Sequence, residues 1–310
     1  MRLNWYEQLG PVFTPADAQE AGMTQWRLSR LAPQRITHGL YSTTDDLSFH
    51  NRVRAILRVS GQHSIICGPT SLRLAGVDLP ARLARDTRVW VQVPAHQSWP
   101  IRPEVRLVRS VQAVHSTLIK GIPSLDLPYC WMQLSTESSI DELVELADAL
   151  TRRKSPLSTK TALGEAVSLR VGARGVTKAR SALGLCVEGT DSIPETDLRL
   201  LLVRAGLPTP TVNLCIRDTL GQPLYLLDLA FEEAKVAVEY DGVYHVEDRS
   251  HMQRDASRRR ALEDAGWRII TVTSADMYTD PEGIITSVRK ALFVRMRERR
   301  QILVLSSESP

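Results

Sequence analysis

Two acidic residues stand inside apolar, strand-like runs in the last third of the chain: Asp228 within 225–231 and Glu239 within 236–241. Carboxylates are disfavoured in such runs unless something rewards them. Neighbouring strands lie ~4.8 Å apart, so pairing in the right register sets Asp228 beside Glu239. Asp241 follows on the same side of its strand. Converging carboxylates repel one another, and a divalent cation is the usual remedy. Mg²⁺ favours oxygen ligands of this kind and makes a bound water acidic, and Mn²⁺ is the alternative. Asp228 and Glu239 are therefore the candidate metal ligands.

The elements that would position these groups follow from periodicity. A period of two places Tyr225, Leu227, Leu229 and Phe231 on one face of the first strand, with Leu226, Asp228 and Ala230 on the other. In the second strand Val236, Val238 and Tyr240 oppose Lys235, Ala237, Glu239 and Asp241. Upstream, Ser192 with Glu195 three residues on forms a capping box, and Gly206 closes the helix it opens. Leu198, Leu201, Leu202 and Ala205 make the expected buried stripe of that helix. A strand is predicted over Val212–Arg217, a helix over about His251–Ala265, a strand over Arg268–Thr273, and a helix over about Pro281–Arg297. The order is helix, three strands, helix, strand, helix.

Nearer the N-terminus, Thr14 before Pro15 starts a short helix that ends before Gly22. Thr24 caps a second, Gln25 to about Ala32, and Arg35–Tyr41 reads as a hairpin. Helix, tight turn, helix and wing is the order of a winged helix-turn-helix, whose second helix enters the DNA major groove. Between these ends lies a mixed α+β region. It carries helices at Asn51–Val59, Pro69–Gly76, Ile140–Leu150, Thr161–Leu169 and Val176–Leu185, and strands at Arg88–Val93 and Val105–Arg109. His63, His96 and His115 are isolated there and read as structural. Glu188–Ser192 marks a boundary. The expected domains are 1–48, a winged helix-turn-helix; 49–190, a mixed α+β region; and 191–310, the acid-bearing α/β domain.

Composition narrows the class. No apolar run approaches the ~18 residues of a membrane span, and the first residues lack a signal-peptide core. Four widely scattered cysteines show no CxxC pair, which fits a reducing cytoplasm and argues against zinc or a disulfide framework. A net charge of +4 and a pI near 9.0 are compatible with a polyanionic partner.

The C-terminal motifs resemble the PD-(D/E)XK nuclease superfamily, and more closely the family of very-short-patch-repair endonucleases. The matching residues are Glu195, Asp228, Glu239 with Asp241 and Gly242, His245, Arg254 with Asp255, Arg258, and Gly266-Trp267-Arg268. The resemblance spans nearly all of 192–293. It implies a restriction-endonuclease-like α-β-β-β-α-β core and a metal-dependent endonuclease acting on DNA. Glu195, Asp228, Glu239, Asp241 and His245 would be catalytic, and Arg254 and Arg258 would bind phosphate. The superfamily usually has lysine where this chain has Asp241, and relatives often have arginine at Thr271. Residues 13–41 resemble the N-terminal domain of AbiEi-type antitoxins, which implies a DNA-binding module. The rival reading is a non-catalytic DNA-binding antitoxin or regulator with a degenerate nuclease fold. Taken singly, each residue also has a structural reading: Glu195 only caps its helix, Asp241-Gly242 is a turn, and Arg254 and Arg258 pair with Asp255 and Glu263.

Overall fold

The structure is a computed structural model. It describes residues 9–24, 26, 28, 34–44, 46–96, 102–110, 115–218, 220–242 and 258–307, with side chains to 299. Contacts divide the chain into two units. One comprises Met1–Ser138 and Ala162–Ala179, the other Ser139–Thr161 and Arg180–Pro310.

The first unit opens with β1 (Val12–Phe13), α1 (Pro15–Glu20), β2 (Gln34–Thr37) and β3 (Leu40–Ser42). Thr14 caps α1 reciprocally. Its hydroxyl accepts from the Asp17 N–H at 3.2 Å, and the Asp17 carboxylate accepts from the Thr14 N–H at 2.8 Å. The three strands form an antiparallel sheet in the order β1-β3-β2. Of the second helix expected at 25–32, only residues 26 and 28 lie within the described residues, and both are helical.

The same unit continues with α2 (Phe49–Arg58), β4 (Ile65–Ile66), α3 (Gly68–Ala75), α4 (Ala81–Ala84), β5 (Val89–Pro94), β6 (Val105–Ser110), β7 (Ser116–Ile119), β8 (Ile122–Leu125) and α5 (Leu127–Leu134). Its mixed sheet runs β6-β5-β4-β8-β7 over a core that includes Val53, Ile56, Ile66, Val89 and Val91. β4, α4, β7, β8 and α5 are absent from the sequence-based assignment. His115 stacks on Tyr129 with ring centroids 4.1 Å apart, the structural role expected of an isolated histidine. In chain order α6 (Ile140–Leu150), which belongs to the second unit, α7 (Lys160–Ser168) and α8 (Val176–Leu185) follow.

The second unit is built on α9 (Ile193–Arg204), β9 (Thr211–Arg217), β10 (Pro223–Phe231), β11 (Val236–Asp241), α10 (258–264), β12 (Arg268–Thr273), α11 (Ser274–Thr279) and α12 (Pro281–Ser307). The sheet order is β12-β11-β10-β9. The first three strands in sequence are antiparallel, and β12 joins β11 in parallel. A parallel neighbour requires a crossover, and α10 lies within it. One cluster packs Leu229, Phe231, Val236 and Val238 against Leu198, Leu202 and Val288; another packs Leu227, Ala230 and Ala237 against Leu262 and Trp267.

Two local expectations are corrected here. α9 does not bury a single stripe. Glu195, Thr196, Leu198, Arg199, Leu200 and Leu202 are all buried, while Leu201 is only half-buried. The reason is that α9 lies between the sheet and α6. Asp148 of α6 and Arg199 of α9 form an ion pair at 2.6 Å, each side chain 1% exposed. Asp148 also accepts from Thr196 Oγ1 at 3.0 Å and the Val187 N–H at 2.9 Å, and Arg199 Nη1 donates to the Leu185 carbonyl. The second correction concerns β10. Its alternation breaks at Asp228, so that Leu227 and Leu229 join different clusters. The register sets Asn213 opposite Asp228, and Asn213 has φ +48, a left-handed conformation that reorients the strand pair there.

Candidate active site

Leu229 pairs with Val238 and Ala230 with Ala237, and the same register carried one step further sets Asp228 against Glu239. Both line an open cavity of about 670 Å³, together with Asp241, Arg258, Leu262 and Thr271. The two carboxylates therefore share one opening to solvent.

Asp228 Oδ2 accepts from the Tyr240 N–H at 3.0 Å. Its carboxyl is pushed up to about 7. Burial is the largest cause, then the Glu195 carboxylate; the Tyr240 N–H opposes this, Glu239 adds to the rise, and Arg258 opposes it. Glu239 Oε1 accepts from Arg258 Nη2 at 2.8 Å. The same Nη2 donates to the Leu226 carbonyl. Asp241 ends β11 and is exposed at the rim.

Glu195 sits at the first turn of α9, 8% exposed. Ser192 Oγ donates to its Oε1 at 2.8 Å. Its Oε2 accepts from the Asp191 N–H and from Asn213 Nδ2, each at 3.2 Å. The reciprocal half of the expected capping box thus comes from Asp191 rather than from Ser192. Glu195 acts on Asp228 through its charge while its own oxygens are held by the protein. His245, Arg254 and Asp255 lie outside the described residues.

Sequence reasoning missed three participants. The Tyr240 N–H and the Leu226 carbonyl are main-chain groups, which leave no mark in side-chain patterns. Asn213 is different. Asparagine is enriched in left-handed conformations, so its place within a strand was the available signal.

The donor set fits a hard divalent cation. Asp228 and Glu239 offer carboxylate oxygens at one opening, and the crowding of Asp228 by Glu195 and Glu239 is relieved by a positive charge placed there. Among the described residues no three His, Cys, Asp or Glu side chains group as a metal cage. A two-carboxylate site suits Mg²⁺, which usually keeps several of its waters. A second cavity of about 910 Å³ is lined by Leu207, Phe231, Leu292, Phe293 and Met296 among others, and neither Asp228 nor Glu239 is among its lining residues.

Comparison with known proteins places these features. Residues 213–292 match the family model REase_MTES_1575, a restriction-endonuclease-like family, which supports a domain of that kind in this part of the chain. The match contains Asp228, Glu239, Asp241 and Arg258. Over 258 residues, 83% of this chain and 92% of the relative, the sequence is 23% identical to the uncharacterized protein MT2308 of Mycobacterium tuberculosis (strain CDC 1551 / Oshkosh). The uncharacterized protein Rv2248 of Mycobacterium tuberculosis (strain H37Rv) matches to the same extent. No helix among the described residues is long and apolar enough to cross a membrane.

Proposed function

We propose that the chain is a metal-dependent endonuclease that hydrolyses DNA phosphodiester bonds with its C-terminal domain, residues 191–310. The observation that carries this reading is the register of β10 and β11, which sets Asp228 against Glu239 in an open cleft. The restriction-endonuclease-like family match across the same residues supports it.

Phosphodiester hydrolysis needs a nucleophilic water near neutral pH and a counter-charge on the phosphate. Mg²⁺ or Mn²⁺, when bound, would supply an acidified water and polarise the phosphate oxygen. Asp228 and Glu239 would hold it. The Tyr240 N–H fixes the Asp228 carboxylate so that it does not rotate away from the opening. Glu195 completes the negative field that draws a cation in, and Asp241 at the rim is placed to orient water by hydrogen bonding. Arg258 faces the cavity and is suited to grip a phosphate oxygen. His245 as proton carrier and Arg254 as a second phosphate contact belong to the same proposal, on sequence grounds. Residues 1–48 would read DNA as an AbiEi-like winged helix-turn-helix, with 49–190 as the intervening region.

The second reading is a DNA-binding regulator with a degenerate nuclease fold; Asp241 where the superfamily usually has lysine is compatible with it, and the retention of both Asp228 and Glu239 speaks against it. Incubation of the whole protein with supercoiled plasmid separates the two. The nuclease reading expects nicked or linear product with Mg²⁺ or Mn²⁺ and none with a chelator. Intact plasmid under every divalent ion, with DNA binding retained, would establish the regulator instead.

A further inference from the structure

Arg258 stands between the two partners that the proposed reaction must bring together. Its Nη2 is shared by Glu239 Oε1, at 2.8 Å, and the Leu226 carbonyl, at 2.5 Å. Its Nε is buried and meets no hydrogen-bond partner among the described residues. The side chain is 35% exposed, so the guanidinium remains reachable from the cavity it lines. It is thus a cation seated on one of the two carboxylates to which a divalent ion would bind.

We propose that Arg258 couples metal binding to DNA binding: in the free protein its guanidinium sits on Glu239, and a substrate phosphate draws it off and so removes a positive charge that opposes the cation there. The inference rests on the reading of Asp228 and Glu239 as the cation's ligands. Two cations on one carboxylate repel, so the ion must displace or crowd the guanidinium to enter. A phosphate offers the planar guanidinium two oxygens for bidentate hydrogen bonding, a partner of at least equal quality, and can engage the Nε–H, which has no described acceptor, once the side chain swings out. Whatever loosens Arg258 from Glu239 therefore strengthens metal binding, and by linkage the metal strengthens DNA binding by the same factor. Arg258 acts here as a positioning residue. A strut that only tied α10 to β10 and β11 would repel the ion equally, so the readout that separates the two is whether the duplex effect on Mn²⁺ binding disappears with Arg258.

The test is calorimetric titration of the full chain with Mn²⁺, alone and with a short phosphorothioate duplex that resists hydrolysis. Wild type, Arg258→Gln, Arg258→Lys and Asp228→Asn are compared. Arg258→Gln is expected to bind Mn²⁺ about tenfold more tightly than wild type without DNA, the scale of one charge-assisted hydrogen bond that no longer has to break. The duplex is expected to tighten Mn²⁺ binding to wild type and not to Arg258→Gln. Arg258→Lys keeps a cation near Glu239 without the fork that also reaches Leu226, and should fall between the two; it decides the matter if the Gln variant does not fold. Equal or weaker Mn²⁺ binding by folded Arg258 variants, with the duplex effect intact, overturns the coupling. Unaltered Mn²⁺ binding by Asp228→Asn overturns the metal site beneath it, and so marks a different failure.

Discussion

Replacing Asp228 with asparagine should make the protein more stable while removing its proposed chemistry. Burial and then the Glu195 carboxylate push the Asp228 carboxyl up to about 7, against 3.8 for an ordinary aspartate. At pH 8 the folded state therefore carries a charge it disfavours, by ~4 kcal/mol at most. Water reaches the cleft and screens this, so a gain of ~1–3 kcal/mol for Asp228→Asn is expected. The amide keeps an oxygen to accept the Tyr240 N–H, so that bond survives the change. The pH dependence fixes the sign. Because the folded pKa is raised, the penalty is absent below the unfolded value of 3.8, grows as pH rises, and is complete above about 7. The stability advantage of the variant should grow across that window and then level off. Urea unfolding followed by circular dichroism, in chelator at about pH 5 and about pH 8, reads it directly. Added Mg²⁺ should restore wild type toward the variant and leave the variant unmoved. A wild type that is as stable as Asp228→Asn at the higher pH, or an advantage that does not change with pH, would refute the crowding of carboxylates in the cleft.

Other perturbations test other parts of the structure. Arg199→Met leaves the buried Asp148 charge without its partner and should cost ~3–5 kcal/mol, with most of that recovered when Asp148 is also made apolar; thermal melting of the single and double variants measures both. Burial pushes Glu145 up to about 7 and Asp197 up to about 6, with Asp197 the next cause for Glu145 and Asp141 for Asp197. Glu145→Gln should therefore raise the melting temperature above about pH 7 and change it little below about pH 5. Gly68 has φ +51, and a Cβ there would lie 2.7 Å from the Trp90 ring, so Gly68→Ala should cost ~1–3 kcal/mol of stability in denaturant titrations. Removing residues 1–45 should weaken DNA binding in fluorescence anisotropy while sparing turnover on saturating substrate.

Legibility in the sequence followed local signals. α6 begins where Ser139 and Glu142 form a reciprocal capping box, and the helix matches Ile140–Leu150 as read. β11 and β12 are rich in β-branched residues and were found within a residue. α5 was missed because Cys130, Trp131, Met132 and Leu134 are all buried, which erases the helical contrast between faces. β7 and β8 are four residues each, too short for a period to declare itself, and Pro123 interrupts the second. The burial of Arg199 left no local signal, because its partner lies 51 positions away on α6. The meeting of Asp228 and Glu239 was readable from acids placed in apolar runs. The turn of β10 at Asp228 was not, since it depends on Asn213 across the strand pair. The grip of Ser192, Asp191 and Asn213 on Glu195 likewise needed the fold.

The central claim is that Asp228 and Glu239 act as one site on the scissile phosphate. Single-turnover cleavage of plasmid DNA by wild type, Asp228→Asn and Glu239→Gln, with Mg²⁺ and equal DNA occupancy, tests it most directly. The expected result is cleavage by wild type alone, with both variants folded and DNA-bound but inert. Cleavage at the wild-type rate by either folded variant would contradict it.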